Sequence, residues 1–138
     1  MGKQVQPGEM NAVTDYSALI DGAGINVCKL LLDDELTILW ANDNFYISSG
    51  FGKDEYQTLF HHIKAYYTGH GDEFAKIKNA FYDVLQKGER RVKVGCRRPL
   101  KDNTCAWINI DGIITGEIVD SKPVALAVYS DISDLTRL

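Results

Sequence analysis

The spacing of hydrophobic and polar residues predicts a mixed chain in which helices and strands follow one another in a definite order. Apolar residues recur at helical spacing over residues 11–24 and, most regularly, over 72–87, where Gly88 ends the pattern. Between these helices a β-hairpin leads into residues 40–56, a segment with two asparagines, an aromatic pair and a Gly-Phe-Gly turn. After Gly88 the period changes from helical to two. The predicted strands are 25–32, 36–41, 91–98, 104–114 and 124–132.

The last two predicted strands carry apolar residues on both faces. Alternation divides them into a core set and an outer set, and the outer set includes Trp107 and Tyr129. An apolar outer face needs a cover, which we expect from the leading helix, through Tyr16 and Leu19, and from a second copy of the chain. The core set is Ala106, Ile108, Ile110, Val124, Leu126 and Val128, and the outer set is Cys105, Trp107, Asn109, Ala125, Ala127 and Tyr129.

The strand at 91–98 has a different pattern, because its apolar residues alternate with basic ones. We expect its basic residues, Arg91, Lys93, Arg97 and Arg98 included, on a solvated face. Taken together, the elements predict an α+β fold. Its five-stranded antiparallel sheet carries helices on one face and an N-terminal capping helix on the other.

Composition places the chain among globular proteins of one domain. It has 138 residues, of which 45% are hydrophobic and 25% charged. The formal net charge of −4 disfavours a nucleic-acid partner, whose phosphates need a basic face. No apolar run is long enough for a membrane span, and the polar N-terminus lacks the apolar core of a signal peptide. We therefore expect a cytoplasmic protein.

The sequence lacks the residue combinations that common enzyme mechanisms need. It shows no nucleophile with a base, no paired carboxylates on one element and no phosphate loop, so catalysis is not expected. Cys28, Cys96 and Cys105 are odd in number and have no Cys-x-x-Cys spacing, which indicates neither a zinc site nor a disulfide framework. His61 and His62 have no second metal ligand at a recognised spacing, so no metal is expected either.

Four short motifs follow one another along the chain. They are Asn42 with Phe45, Gly50-Phe51 and Glu55; His70-Gly71-Asp72-Glu73; Arg98-Pro99-Leu100-Lys101-Asp102-Asn103 followed by Trp107-Ile108; and Asp131-Ile132-Ser133. Their order and spacing, over about residues 12–138, resemble those of PAS domains. The last motif has serine where the family has threonine, and the second has glycine where the family has proline.

The resemblance implies a sensory module of a bacterial signal-transduction protein, with residues 25–133 as the PAS core. Residues 1–10 would be a flexible lead, 11–24 the N-terminal helix, and 134–138 the start of an exit helix. The module would bind a small ligand in an interior pocket and act as a homodimer. The effector, expected beyond Leu138, would be a diguanylate cyclase or a histidine kinase. The alternative is a ligand-free module for protein–protein interaction or dimerisation.

The resemblance also suggests functional residues and limits the cofactor. The expected cofactor or ligand is unknown. Haem is disfavoured because the helix 72–87 has no histidine, and covalent flavin because residues 61–66 lack the cysteine of flavin-thiol photoreceptors. For Asn42, Trp40 and Tyr46 a purely structural role stays open. The candidate pocket residues are Trp40, Asn42, Phe45, Tyr46, Phe81, Ile108 and Leu126; the coupling residues are Asp131 and Ser133; the dimer residues are Tyr16, Leu19, Trp107 and Tyr129.

Overall fold

The computed structural model describes residues 18–133. Residues 18–22 are helical and form the end of the predicted leading helix, with Leu19 67% exposed. The predicted lead at 1–10, most of the leading helix with Tyr16, and the predicted exit helix at 134–138 lie outside the described residues. No helix in the described part of the chain is both long and apolar enough to span a bilayer.

Five antiparallel strands form one sheet, as the sequence predicts. The strand order across the sheet is β2-β1-β5-β4-β3, so the N-terminal hairpin and the C-terminal three strands meet where β1 pairs with β5. Asp120 and Ser121 adopt positive φ angles in a tight turn, which extends the β4–β5 hairpin beyond its predicted ends. The strands are β1 (Asn26–Leu31), β2 (Thr37–Ala41), β3 (Arg91–Pro99), β4 (Cys105–Val119) and β5 (Lys122–Asp131).

Four helices lie between β2 and β3, and their apolar residues share one core with the inner face of the sheet. The longest helix agrees with the predicted 72–87 within one residue at each end. Its Phe74, Ile77 and Phe81 are buried, as their helical spacing indicates. The helices are α1 (Asp43–Ile47), α2 (Lys53–Leu59), α3 (Ile63–Tyr66) and α4 (Gly71–Gln86).

A buried carboxylate attaches the start of α4 to the sheet. Glu73 is 5% exposed, and its Oε2 accepts a hydrogen bond of 2.8 Å from Arg97 N on β3. Its Oε1 lies 3.3 Å from Lys76 Nζ and 3.4 Å from Arg97 Nε. Burial acts to raise the pKa of Glu73, but the hydrogen bonds and the positive charge outweigh it and the pKa is lowered. The carboxylate therefore fixes the register between α4 and β3.

The middle of the inner face is built from small residues that make room for α4. Register places Gly112, Ala127 and Cys28 side by side on neighbouring strands. A Cβ atom at Gly112 would lie 3.0 Å from the ring of Phe81, so glycine allows this close approach of helix and sheet. Small side chains thus face inward wherever the helix lies closest to the sheet.

This packing corrects the predicted faces of β5. Tyr129 pairs with Ile110 and shares its inward side, where it is only 3% exposed, while Ala125 and Ala127 are fully buried. Leu126, predicted for the core and the pocket, lies on the outer face and is 38% exposed, and Val128 lies there as well. The assignment was wrong because both sets of residues are apolar, and the choice depends on the space beneath α4.

Candidate functional site

A single buried asparagine ties the crossing segment, which leads from β2 into α1, to the sheet. Asn42 is 3% exposed. Its Oδ1 accepts a hydrogen bond from Val27 N at 2.8 Å, and its Nδ2 donates to Asp21 Oδ1 at 2.8 Å and to Ile25 O at 2.7 Å. Both amide donor hydrogens therefore have protein partners, which leaves little capacity for a ligand. The structure gives Asn42 a structural role, and a contact with a ligand stays a prediction.

A continuous cluster of aromatic rings fills the space between the crossing and the inner sheet face. Most neighbouring rings meet edge to face, as between Phe45 and Tyr129 at 5.2 Å, and Tyr56 and Tyr66 are stacked at 5.2 Å. Phe45 and Tyr46, both predicted for the pocket, belong to this cluster and are buried. The aromatic cluster consists of Phe45, Tyr46, Phe51, Tyr56, Phe60, Tyr66, Tyr67 and Tyr129.

One positive charge lies inside the aromatic cluster. Arg98 on β3 is 3% exposed, and its guanidinium carbon lies 4.8 Å from the ring centroid of Phe45, 5.4 Å from that of Tyr129 and 5.5 Å from that of Tyr66. Nη1 donates to Ser48 Oγ at 2.7 Å, and Nη2 donates to Phe45 O at 2.9 Å. Within residues 18–133 no carboxylate lies within ion-pair distance of this guanidinium. Ring faces and one carbonyl therefore stabilise the charge in place of an acid.

The burial of Arg98 corrects the prediction that the arginines of β3 lie on a solvated face. Arg91, Lys93 and Arg97 are exposed as predicted. Arg97 and Arg98 are adjacent, however, and successive side chains of a strand point to opposite faces. One of the two must therefore face the core. The register pairs Arg98 with the buried Ala106. The Arg97-Arg98 pair is the sequence signal that could have revealed this residue.

Two buried tyrosine hydroxyls lie in the same interior without a hydrogen-bond partner among the described residues. They belong to Tyr67 and Tyr129, which are 2% and 3% exposed. Burial raises the pKa of both phenols, and the charge of Arg98 acts in the opposite direction. Burial also raises the pKa of the Cys28 thiol to about 12, with Arg98 and the neighbouring Tyr129 hydroxyl opposing it. This thiol is close to Tyr129 Oη but makes no hydrogen bond of normal geometry with it.

The remaining predicted pocket residues divide between the core and the surface. Phe81 and Ile108 are buried in the core. Trp40 is 44% exposed and lines an open groove of about 560 Å³ along the edge strand β2, together with Tyr46 and Phe60. Trp40 therefore borders a surface groove, and it does not face the interior with Phe45. With Leu126 on the outer face, the structure does not bring the predicted set together in one pocket.

A second cavity, which we call the crossing pocket, lies next to Arg98. Its volume is about 310 Å³, and it is lined by residues 47–50 after α1 and by residues 100–102 of the β3–β4 turn. Ser48, which lines this pocket, is also the residue that accepts the hydrogen bond from Arg98 Nη1. Gly50 allows the two segments to approach, because a Cβ atom there would lie 3.1 Å from Lys101 Cβ. One side chain thus separates the pocket from the buried charge.

The predicted coupling residues connect the end of β5 to β4. Ser133 Oγ accepts a hydrogen bond from Trp107 N at 3.0 Å, and Asp131 Oδ1 accepts one from Ser133 N at 2.8 Å. Ile132 N donates to Trp107 O at 2.8 Å. Both backbone polar groups of Trp107 are therefore bound to the segment that leaves the sheet.

Trp107 is also one of the exposed apolar residues of the outer sheet face, which together we call the outer face patch; Asn109 and Asp111 lie between Trp107 and Ile113 on β4. Its side chain is 43% exposed and packs under Arg97, whose guanidinium carbon lies 5.7 Å from the ring centroid. Ile113 and Leu126 are paired neighbours on the same side of the sheet. The patch consists of Trp107, Ile113, Leu126 and Val128, which are each 36–43% exposed.

Groups for metal or thiol chemistry are sparse in the described chain. Among residues 18–133, no group of three or more histidine, cysteine or acidic residues is placed to hold a metal ion. His62 has a structural role, because its Nδ1 accepts a hydrogen bond from Ala65 N at 3.0 Å and caps α3. Cys28 and Cys96 are buried, whereas Cys105 is exposed.

Comparison with known proteins gives matches among solved structures. No protein-family model and no curated protein sequence matches the chain. A sensory box histidine kinase/response regulator from Burkholderia thailandensis is similar with a TM-score of 0.64 and 16% identity, covering 88% of this chain and 87% of that one. The PAS domain of an HTR-like protein from Haloarcula marismortui has a TM-score of 0.62 and 17% identity, with coverage of 89% and 93%. The LOV protein of Rhodobacter sphaeroides has a TM-score of 0.61 and 18% identity, with coverage of 89% and 68%.

These structures match most of the chain at identities that establish the fold only. The sheet, the Asn42 crossing and the Asp131-Ile132-Ser133 exit described above occupy the places that the sequence motifs indicate. We conclude that the chain has the fold of a PAS domain.

Proposed function

We propose that the chain is a non-catalytic sensory module of a cytoplasmic signal-transduction protein. It binds a small ligand in its interior and signals through a homodimer formed by the outer sheet face. The effector is another domain of the same protein, of the diguanylate cyclase or histidine kinase class. The observation that carries this proposal is the connection of the exit segment to Trp107, a residue of the outer face patch.

A short series of neighbouring residues joins the interior to that face. Arg98 points into the aromatic cluster, and Arg97, the next residue of β3, points outward and packs on Trp107. Trp107 in turn binds Ser133 at the exit. A ligand that moves Arg98 would displace β3 by way of its backbone and change the contacts of Arg97 and Trp107. This adjacency supports a coupling between interior and exit, and a measured change in dimer affinity would establish it.

The dimer is tested by sedimentation velocity of the 138-residue chain over a range of concentrations. We expect a monomer–dimer equilibrium in the wild type. The double variant Trp107→Gln with Val128→Thr should remain monomeric, because it removes apolar area from the patch. Leu59→Gln is the matched control, since Leu59 is also exposed, at 53%, but lies on the helical side. A concentration-independent monomer in the wild type would overturn the dimer.

A ligand-free interaction module is the second candidate, and the filled interior favours it. The aromatic cluster and Arg98 occupy the space beneath the crossing with the protein's own side chains. Native mass spectrometry distinguishes the two candidates. A mass in excess of one or two whole chains, lost on denaturation, supports a ligand-binding sensor. A native mass equal to two whole chains, with no excess, supports the interaction module.

A further inference from the structure

The interior of the domain contains a positive charge that the described chain does not neutralise. Arg98 is only 3% exposed, and its two hydrogen bonds go to a hydroxyl and a carbonyl, both uncharged. Removing a guanidinium from water is costly unless an opposite charge or a full set of acceptors compensates it. Aromatic faces compensate part of that cost. An anion that reaches the guanidinium would compensate the rest of that cost.

Two buried tyrosine hydroxyls lie in the same interior. The hydroxyls of Tyr67 and Tyr129 are buried and have no partner within residues 18–133, whereas buried polar groups in proteins are nearly always hydrogen-bonded. The ring centroid of Tyr129 lies 5.4 Å from the guanidinium carbon of Arg98, and the ring of Tyr67 contacts that of Tyr66, which lies 5.5 Å from the same carbon. A guanidinium in such an interior can bind a ligand that brings oxygen acceptors.

We infer that the ligand of the proposed sensor is a small organic carboxylate, bound through its oxygens to Arg98. This inference rests on the proposed function. The ligand enters by the crossing pocket, and its carboxylate replaces Ser48 Oγ on the guanidinium. The planar guanidinium matches a carboxylate with two parallel hydrogen bonds. The apolar part of the ligand contacts Ile47 and Leu100, which line the crossing pocket.

The charges around the site favour a carboxylate over a phosphate group. A phosphate monoester carries about −1.5 to −2 charges at pH 7, more than one guanidinium neutralises. Of the charged residues that line the crossing pocket, Asp102 is acidic, and Lys101 is already paired with Glu55, with 2.9 Å between Nζ and Oε2. Arg98 alone supplies one uncompensated charge, which one carboxylate neutralises. The short crossing pocket of about 310 Å³ also limits the ligand to a small molecule.

The test compares carboxylates with their own amides. Acetate, propionate and benzoate, and the corresponding acetamide, propionamide and benzamide, are added to the 138-residue chain at an ionic strength held constant with chloride. Differential scanning calorimetry gives Tm. We expect at least one carboxylate to raise Tm saturably, by about 10 °C at 100 times its Kd, while its amide does not.

Variants at the pocket locate the effect. Ser48→Asp places a carboxylate of the protein beside Arg98, so it should raise Tm without ligand and abolish the response to the added carboxylate. Ser48→Asn is the matched neutral control and should keep the response. Both substitutions alter a partly exposed residue, so folding is retained. Arg98→Met should abolish the response as well. A response that survives Ser48→Asp would overturn the site.

The remaining outcomes separate this inference from the proposed function. An equal rise in Tm with the amide would overturn the inference that the ligand is a carboxylate, while the proposed function as a sensor of an uncharged ligand would stand. No rise with any of the three carboxylates would also overturn the inference. The native mass measurement then decides on the sensor independently, because a retained neutral molecule would still add mass.

Discussion

Replacing Tyr129 by phenylalanine removes one oxygen atom from the interior and tests whether the structure describes the polar groups there correctly. Tyr129 is 3% exposed and its hydroxyl has no partner within residues 18–133. A buried hydroxyl without a hydrogen bond costs about 1–3 kcal/mol in protein mutational data. The phenylalanine ring keeps the edge-to-face contact with Phe45 and the contact with Arg98. We therefore expect Tyr129→Phe to stabilise the ligand-free protein.

The expected size is about 1 kcal/mol, the lower end of that range, because the lost atom also leaves a small void. For a domain of this length the gain corresponds to a rise in Tm of about 4 °C. Urea denaturation followed by circular dichroism gives the free energy of unfolding, and the m-value should stay unchanged.

Tyr82→Phe provides the control, because the same atom is removed from a hydroxyl that is hydrogen-bonded. Tyr82 Oη donates to Leu32 O at 2.9 Å, so its loss should destabilise by about 1 kcal/mol. The two variants should thus change stability in opposite directions. If Tyr129→Phe destabilises the ligand-free protein as much as Tyr82→Phe does, the Tyr129 hydroxyl has a partner, and the argument for a vacant polar site fails.

Four further variants test the fold and its electrostatics. Asn42→Ala should destabilise by about 3 kcal/mol in urea denaturation, because three hydrogen bonds of the crossing are lost; a loss below about 1 kcal/mol would contradict its role as a tie. Phe81→Ala should lower the free energy of unfolding by about 3–5 kcal/mol. Gly112→Ala should also destabilise the protein, because the new Cβ meets the Phe81 ring. Unchanged thermal stability in either variant would refute this packing. The pKa of Glu73 is lower in the folded state, so its stabilisation is present above the unfolded value near 4.5 and is lost as the pH falls through the folded value. Glu73→Gln should therefore lose less stability than the wild type between pH 7 and pH 3 in calorimetry, and parallel pH profiles would contradict this.

The element order and the long helix could be predicted because they depend on local periodicity. The helical spacing of Phe74, Ile77 and Phe81 identifies one buried face without any knowledge of its partner. The alternation in β4 likewise places Ile108 inward and Trp107 outward, as the structure has them. The motifs at the crossing and at the exit identify the fold, because their order along the chain matches a known arrangement of strands and helices.

The faces of β5 could not be predicted, because its alternating residues are apolar on both sides. Leu126 and Val128 alternate with Ala125, Ala127 and Tyr129, and alternation alone does not show which of two apolar sets faces the core. The small residues face inward because Phe81 packs directly on Gly112, next to Ala127. That contact joins residues far apart in sequence, and no local pattern records it.

The candidate site could be predicted even less than the faces of β5, because it is formed by contacts between residues far apart in the sequence. Arg98 was assigned to a solvated face because it belongs to a basic cluster, although its neighbour Arg97 already occupies that face. The rings that surround its guanidinium come from α1, α3 and β5, which the sequence does not show to be neighbours. The unpaired hydroxyls of Tyr67 and Tyr129 become evident only when every possible partner has a position.

The central claim is that occupation of the interior at Arg98 changes association through the outer face patch. The most direct test is the dimer Kd of the 138-residue chain, measured by sedimentation equilibrium with the stabilising carboxylate and, separately, with its amide at the same ionic strength. We expect the carboxylate to change Kd by about 5–150-fold, the usual range for coupled sites, and the amide to leave it unchanged. A dimer Kd that stays the same when the carboxylate is bound would contradict the claim.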